Sequence, residues 1–242
     1  MEWSDDGIVL SARRHGETAA ILSVLTEAHG RHAGLVRGGA GRRQRGTLQQ
    51  GNLVAVTWRA RLEDHLGSYT VELQRSPGAL WLDDPGRLAV LASACALVDM
   101  TLPEREPCDT VYQGLSRLLE ALEEPYWAAA YVEWELYLLG ELGFGLDLSE
   151  CAATGQNDGL AYVSPKSGRA VSLSAGEPYR DKLLPLPGFL RGEGEPNPAD
   201  VADGLKLTGY FLDRHLLAPH RRRLPDPRDR LVTQMLRAAE RP

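Results

Sequence analysis

The chain has 242 residues, 43% of them hydrophobic and 25% charged, enough for one large core or two modest ones; this composition excludes a stapled mini-protein, a globally disordered chain and a membrane-embedded one. No apolar run reaches the length of a bilayer, and residues 1–6 place acids where a secretion signal needs bases, so a cytoplasmic protein with no membrane partner is expected. The formal charge of −6 conceals an asymmetry: residues 1–80 hold ten basic against eight acidic side chains and the remainder seventeen against twenty-five, as in a basic binding module joined to an acidic body.

The first 80 residues alternate short apolar stretches with glycine-rich turns. Strands are predicted over 7–14, 19–26, 31–37, 52–61 and 68–74, separated by His29-Gly30, by Gly38-Gly39-Ala40-Gly41 and by Gly51-Asn52. Five strands in so short a stretch suit a small closed barrel of the OB type, whose strand face and loops bind oligonucleotides. From Asp83 the period changes, with apolar residues Leu88, Leu91, Ala92, Cys95 and Val98 at three-and-four spacing. The expected architecture is therefore α+β: a five-stranded OB-fold barrel over 1–80, then a mainly α-helical domain over 81–242.

Further helices are predicted over 111–122, after Pro107-Cys108-Asp109, and from Pro125 to 142. Asn197-Pro198 with Asp200, and Asp226-Pro227 with Asp229, each pair a capping side chain with proline at the first helical position and an acid near the positive helix end. Between the helical blocks, the Gly-, Pro- and Ser-rich stretch 145–195 has no helical period and is expected to be an irregular loop with a short hairpin.

Enzyme motifs fail one by one, and no catalytic residue and no cofactor are expected. Gly41 is followed by Arg42-Arg43 where a phosphate-cradling loop needs lysine and a hydroxyl residue. No Gly-x-Ser-x-Gly elbow occurs. His15-Gly16-Glu17 opens a zinc-deaminase signature that lacks its Pro-Cys-x-x-Cys partner. Cys95, Cys108 and Cys151 are odd in number and unrelated in spacing, so they read as buried small hydrophobes, and position 154, where a Cys-x-x-Cys knuckle would continue, is threonine. His215 and His220 read as surface residues.

What remains is a basic loop. Arg31, Arg37, Arg42, Arg43 and Arg45 fall within fifteen positions, interleaved with four glycines that allow close backbone approach to a ligand. Arginine is permanently charged and suited to bidentate phosphate contact. Arg13 and Arg14, at the end of the first strand, are expected as additional contacts. Trp3, Trp58 and Tyr69 are candidate base-stacking platforms, although rings in small barrels more often fill the core. Tyr126, Trp127, Tyr131, Trp134 and Tyr137 recur along one helix and are assigned mainly to packing. Arg221, Arg222 and Arg223 lie between two prolines, where they are either solvated or available to an acidic tail.

The series Gly7-Ile8-Val9-Leu10, His15-Gly16-Glu17-Thr18, Val24-Leu25-Thr26, His29-Gly30 and Gly34-Leu35-Val36-Arg37-Gly38 resembles the RecO recombination-mediator family. So do the stretch 48–66 around Trp58-Arg59-Ala60-Arg61, then Phe211-Leu212 with His215-Leu216, and Leu224-Pro225 with Arg228. The resemblance runs the whole chain in order. It implies an N-terminal OB-fold, a helical C-terminal domain and, in many members, a four-cysteine zinc knuckle, from which this chain departs by keeping only Cys151. It also implies binding of single- and double-stranded DNA, strand annealing, engagement of the C-terminal tail of the single-strand-binding protein, and loading of the RecA recombinase with RecR. From the residues, an adaptor whose barrel is mainly a protein-docking surface is the competing reading.

Overall fold

Five strands close into a ring in the order β1-β2-β3-β5-β4: β1 (Glu2–His15), β2 (Ala19–Thr26), β3 (Gly30–Val36), β4 (Leu53–Arg59) and β5 (Ser68–Arg75). Neighbours are antiparallel except β3 and β5, which meet in parallel at Leu35 and Val36. This is the five-stranded Greek-key closure of the OB-fold. The computed structural model describes residues 1–240, and the chain divides into two compact units, Met1–Leu119 and the remainder from Glu120.

Alternation along the strands builds the barrel interior. Val9 from β1, Ala20, Leu22 and Val24 from β2, Val36 from β3, Val54, Val56 and Trp58 from β4 and Tyr69 from β5 form one buried cluster. The first strand begins at Glu2, ahead of its apolar run, because its polar start pairs with β4 from Glu2↔Arg59 to Ile8↔Leu53. Main-chain pairing closes the barrel there, and apolarity does not mark it. A bulge between Val9 and Ser11 lets the long strand bend from β4 towards β2.

The outer surface of β1, β2 and β3 is not left to solvent. The helix α2 (Pro85–Thr101), capped by the Asp84 carboxylate on the Gly86 and Arg87 amides, buries Val90, Leu91, Cys95, Leu97 and Val98. Its Asp99 accepts hydrogen bonds from Ser11 on β1 (2.8 Å) and Ser23 on β2 (2.6 Å). Ile8, Leu10 and Leu25 are thereby fully buried although they do not belong to the interior cluster. Because α2 packs on β1, this helix and α3 (Asp109–Ala121, as far as Leu119) fall in the same unit as the barrel.

The second unit packs α4 (Trp127–Glu141), α6 (Pro198–Phe211) and α7 (Asp226–Ala239) around one buried ion pair. Arg228 donates to both carboxylate oxygens of Glu135, at 2.7 and 2.9 Å, and to the Leu205 carbonyl, while Thr208 donates to the same carboxylate. Glu135 is fully buried and Arg228 is 2% exposed. Tyr131 and Trp134 on α4 are buried, in line with a packing role, whereas Tyr126 and Tyr137 are exposed; His215 is half-buried and stacks with Phe144 and Phe211, ring centroids 5.0 and 5.9 Å apart.

Asn197 caps α6 as expected, and the Asp200 side chain completes a capping box by accepting from the Asn197 amide. The start of α7 differs: Asp226 is the first helical residue, Pro225 stands in the capping position, and no side chain caps it. The stretch between α4 and α6 is more ordered than a loop, with β6 (Leu160–Val163), β7 (Ala170–Ser172) and β8 (Leu184–Pro185) in a three-stranded sheet, order β7-β6-β8, and α5 (Leu173–Gly176) after β7. Among the described residues no helix is long and apolar enough to cross a membrane.

Removing one partner of a buried ion pair strands the other without compensation. Arg228→Ala should therefore destabilise the protein by about 3–5 kcal/mol in urea titration, whereas the paired apolar replacement Glu135→Leu with Arg228→Met should recover most of that loss. A single mutant as stable as the parent would show that the pair is not a structural tie.

Inside the barrel, His32 is 3% exposed and its Nδ1 lies 2.9 Å from the Tyr69 hydroxyl. Burial first, then the positive charges of Arg105 and His29, push its pKa from 6.5 down to about 4. The unfolded chain binds the proton more readily, so the stabilisation from neutral His32 is complete above pH 6.5 and is lost as pH falls through about 4. His32→Gln should lose less stability than the parent across that interval in thermal melts at stepped pH; parallel curves would exclude His32 as the group responsible.

Candidate nucleic-acid interface

The basic residues gather at one end of the barrel. Arg14 pairs with Ala20 and Ala20 with Val36, so the end of β1, the β1–β2 turn and the exit of β3 at Arg37 share one rim. The Ala40 amide donates to the Thr18 carbonyl at 3.0 Å, tying the β3–β4 connection to that turn. Gly39 lies so close to β2 that an added Cβ would come within 2.8 Å of the Ala20 Cβ, and Gly38 holds φ +70°, so both positions demand glycine.

The β3–β4 connection carries the short α1 (Arg42–Arg45) and returns through a buried anchor. Leu48, 5% exposed, inserts into the barrel cluster, and the buried Asn52 donates to the Gly46 and Thr47 carbonyls at 2.8 and 3.0 Å. With Leu48 turned inward, Arg42, Arg43 and Arg45 are left exposed, as is Arg37. Arg13 and Arg14 are also exposed, the latter folded onto the Gly16 and Glu17 carbonyls. Across 13–18 and 37–47 six arginines face a single acid, Glu17. Among the described residues no carboxylate pairs with Arg13, Arg37, Arg42, Arg43 or Arg45 in an ion pair.

Arg31 is placed differently. Its Nε donates to the Leu102 carbonyl at 2.8 Å and one terminal nitrogen lies 3.5 Å from both Asp99 and Glu104, with 18% of the side chain exposed. This guanidinium ties β3 to α2 and the segment after it. Sequence spacing put it with the loop arginines; tertiary contacts separate it from them.

The candidate stacking rings are buried or covered, including Tyr69, whose main chain pairs with Val36 at the rim. Trp58 and Tyr69 are 1% and 5% exposed in the barrel interior. Trp3 stacks on His29 at 3.9 Å and lies 5.7 Å from Trp58 in near-parallel fashion, so neighbours cover both faces, and β1 places it at the end opposite His15. Arg221, Arg222 and Arg223 are exposed in the second unit, and His220 is exposed beside them.

Sequence reasoning missed Asp99, which decides what the strand face can do. A signal was present: Asp99 stands four residues after Cys95, on the stripe that α2 buries, and an acid in an apolar stripe implies a partner.

At the position of the zinc knuckle, Cys151 is buried and its sulfur receives the Ser172 amide at 3.2 Å and lies 3.4 Å from the Ser172 hydroxyl. Burial raises this thiol's pKa, but hydrogen bonds from Ser172, Thr154 and the Ala153 amide outweigh it and hold it below the ordinary thiol value. One sulfur with two hydroxyl side chains is not a donor set for structural zinc, which needs thiolates and imidazoles. No three His, Cys, Asp or Glu side chains converge among the described residues. The loop is closed by main-chain bonds: Cys151 to Gln156, Gly155 to Cys151 and Ala152 to Ala170.

Arg31→Ala should cost about 1–3 kcal/mol in urea denaturation through loss of buried hydrogen bonds, while Arg43→Ala should stay within about 0.5 kcal/mol. Equal effects would contradict the separation of the two arginines.

Two family models match the chain: "Recombination protein O N terminal" over residues 1–77 and "Recombination protein O C terminal" over 82–224. A protein of Rhodospirillum centenum named DNA repair protein RecO is 56% identical over 240 residues, covering 98% of this chain and 96% of that one. Proteins of the same name from Rhodospirillum rubrum and Cereibacter sphaeroides are 54% and 52% identical, over 100% and 98% of this chain and the full length of each relative.

Proposed function

Because this chain belongs to the RecO family of DNA repair and recombination proteins, we propose that it acts without covalent chemistry, binding single- and double-stranded DNA along the arginine rim of its barrel. It anneals complementary strands there and, with RecR, helps load the RecA recombinase onto strands held by the single-strand-binding protein, whose C-terminal tail it engages. The observation that carries the reading is the rim itself, where Arg13, Arg37, Arg42, Arg43 and Arg45 stand exposed and, among the described residues, without a carboxylate partner in an ion pair, on a main chain that bends closely around glycines. Arginines so placed neutralise phosphates and displace counterions, which gives affinity without regard to sequence. Arg14 supports the rim from the β1–β2 turn, and Arg31 contributes by holding β3 in place.

Four or five phosphate contacts should make log affinity for a labelled oligonucleotide fall with log salt at a slope of about −3. Replacing Arg37, Arg42, Arg43 and Arg45 together by alanine should weaken binding to every sequence alike and flatten the slope by about 0.7 for each phosphate no longer neutralised, read by fluorescence anisotropy. A folded quadruple variant that binds as the parent does would remove the rim from the account.

A second reading, a protein-docking role for the barrel, has one observation in its favour. The outer face of β4 and its neighbours is open and lined by Ser4, Asp5, Asp6, Thr57, Thr70 and Glu72, an acidic surface that repels DNA. Partner capture that survives nuclease and high salt would favour it.

A further inference from the structure

The rim supplies charge but almost no ring surface. The tryptophans and tyrosines of residues 1–80 are drawn into the interior or towards the opposite end, as Trp3, Trp58 and Tyr69 show, and none is exposed among the described residues. The ring that the rim does carry is the His15 imidazole, exposed at the end of β1. The other route by which such a barrel reads bases, the outer face of its middle strands, is closed by α2, since Asp99 binds Ser11 and Ser23 and leaves Ser23 and Leu25 buried. Sequence-tolerant single-strand binders combine a charged groove with stacking platforms; in this barrel the first is present, and no tryptophan or tyrosine of residues 1–80 is exposed to serve as the second.

We infer that this barrel grips nucleic acid by its phosphates alone, leaving the bases unstacked and free to pair with a second strand while the first is still bound. The inference rests on the rim reading above. Its chemical content is a polyanion ligand: what the rim recognises is a run of phosphodiesters at nucleotide spacing, with or without bases. Paired and unpaired strands then compete for the same arginines on nearly equal terms. Base pairing on the protein displaces no protein–base contact, so annealing requires no release step.

The test compares three fluorescent probes of equal length on the full chain: oligothymidine, the same backbone built entirely from abasic tetrahydrofuran units and so equal in charge to it, and a duplex carrying the same labelled strand with twice the phosphates. The abasic probe is expected to bind within about threefold of oligothymidine and with the same salt slope, because the parent makes no stacking interaction to forfeit. Each stacked base removed would instead weaken binding roughly fivefold or more, and a large selective loss with the abasic probe would overturn the inference. The quadruple arginine variant, checked for folding by circular dichroism, separates the two readings. If it weakens all probes while the parent discriminates against the abasic one, the rim stands and the phosphate-only grip falls; if it binds every probe as the parent does, the rim reading itself has failed. His15→Ala should change oligothymidine affinity by less than about twofold, and a loss confined to the base-bearing probe would show that the imidazole stacks.

Discussion

Asp99 receives the hydroxyls of Ser11 and Ser23 and stands 3.5 Å from the Arg31 guanidinium, so one carboxylate at the end of α2 engages three successive strands of the barrel. Those three donors satisfy a charge that is only partly exposed, and unsatisfied it would be costly to hold there. Once α2 is clasped in this way, the outer surface of β1 to β3 becomes a second buried layer, and Ile8, Leu10 and Leu25 gain a core of their own. The same clasp removes the outer surface of β1 to β3 from solvent and leaves that of β4 and β5 open.

Of the two ends, one is basic and the other is not. Around His15 and Arg37 the chain places arginines on a glycine-rich turn anchored by Leu48 and Asn52. Around Glu2 it places Glu2 against Arg59 and Asp5 against His29, so the charges there are paired. A whole-chain charge of −6 is therefore compatible with a polyanion ligand, since the field that matters is local and the exposed rim is screened only over distances of about 8–10 Å at ordinary salt.

The second unit uses a different device. Glu135 and Arg228 bring together α4, α6 and α7 by satisfying each other and the Leu205 carbonyl, an arrangement that specifies which helix faces meet. The loop at Cys151 follows the same logic on a smaller scale. Hydroxyls of Ser172 and Thr154 surround the lone thiol, and main-chain hydrogen bonds fix the turn that thiolates on zinc would otherwise hold.

The sequence alone determined the five strands, the change to helical period from Asp83, the helix start at Asn197, and the arginine-and-glycine loop, because period-two alternation, capping side chains and turn residues are local properties written within a few positions of each other. It did not determine where β1 begins, since Ser4-Asp5-Asp6 is strand only by pairing with β4. Nor did it separate Arg31 from Arg37 and Arg43, or show that Trp3 is covered on both faces. Those outcomes depend on residues distant along the chain, such as Asp99 and Leu102 against Arg31 or Trp58 against Trp3, and a side chain carries no local mark of the partner that folding will bring to it. Tertiary structure thus decided which of the arginines remain available to a ligand: burial and ion pairing consume a charge that composition can only count.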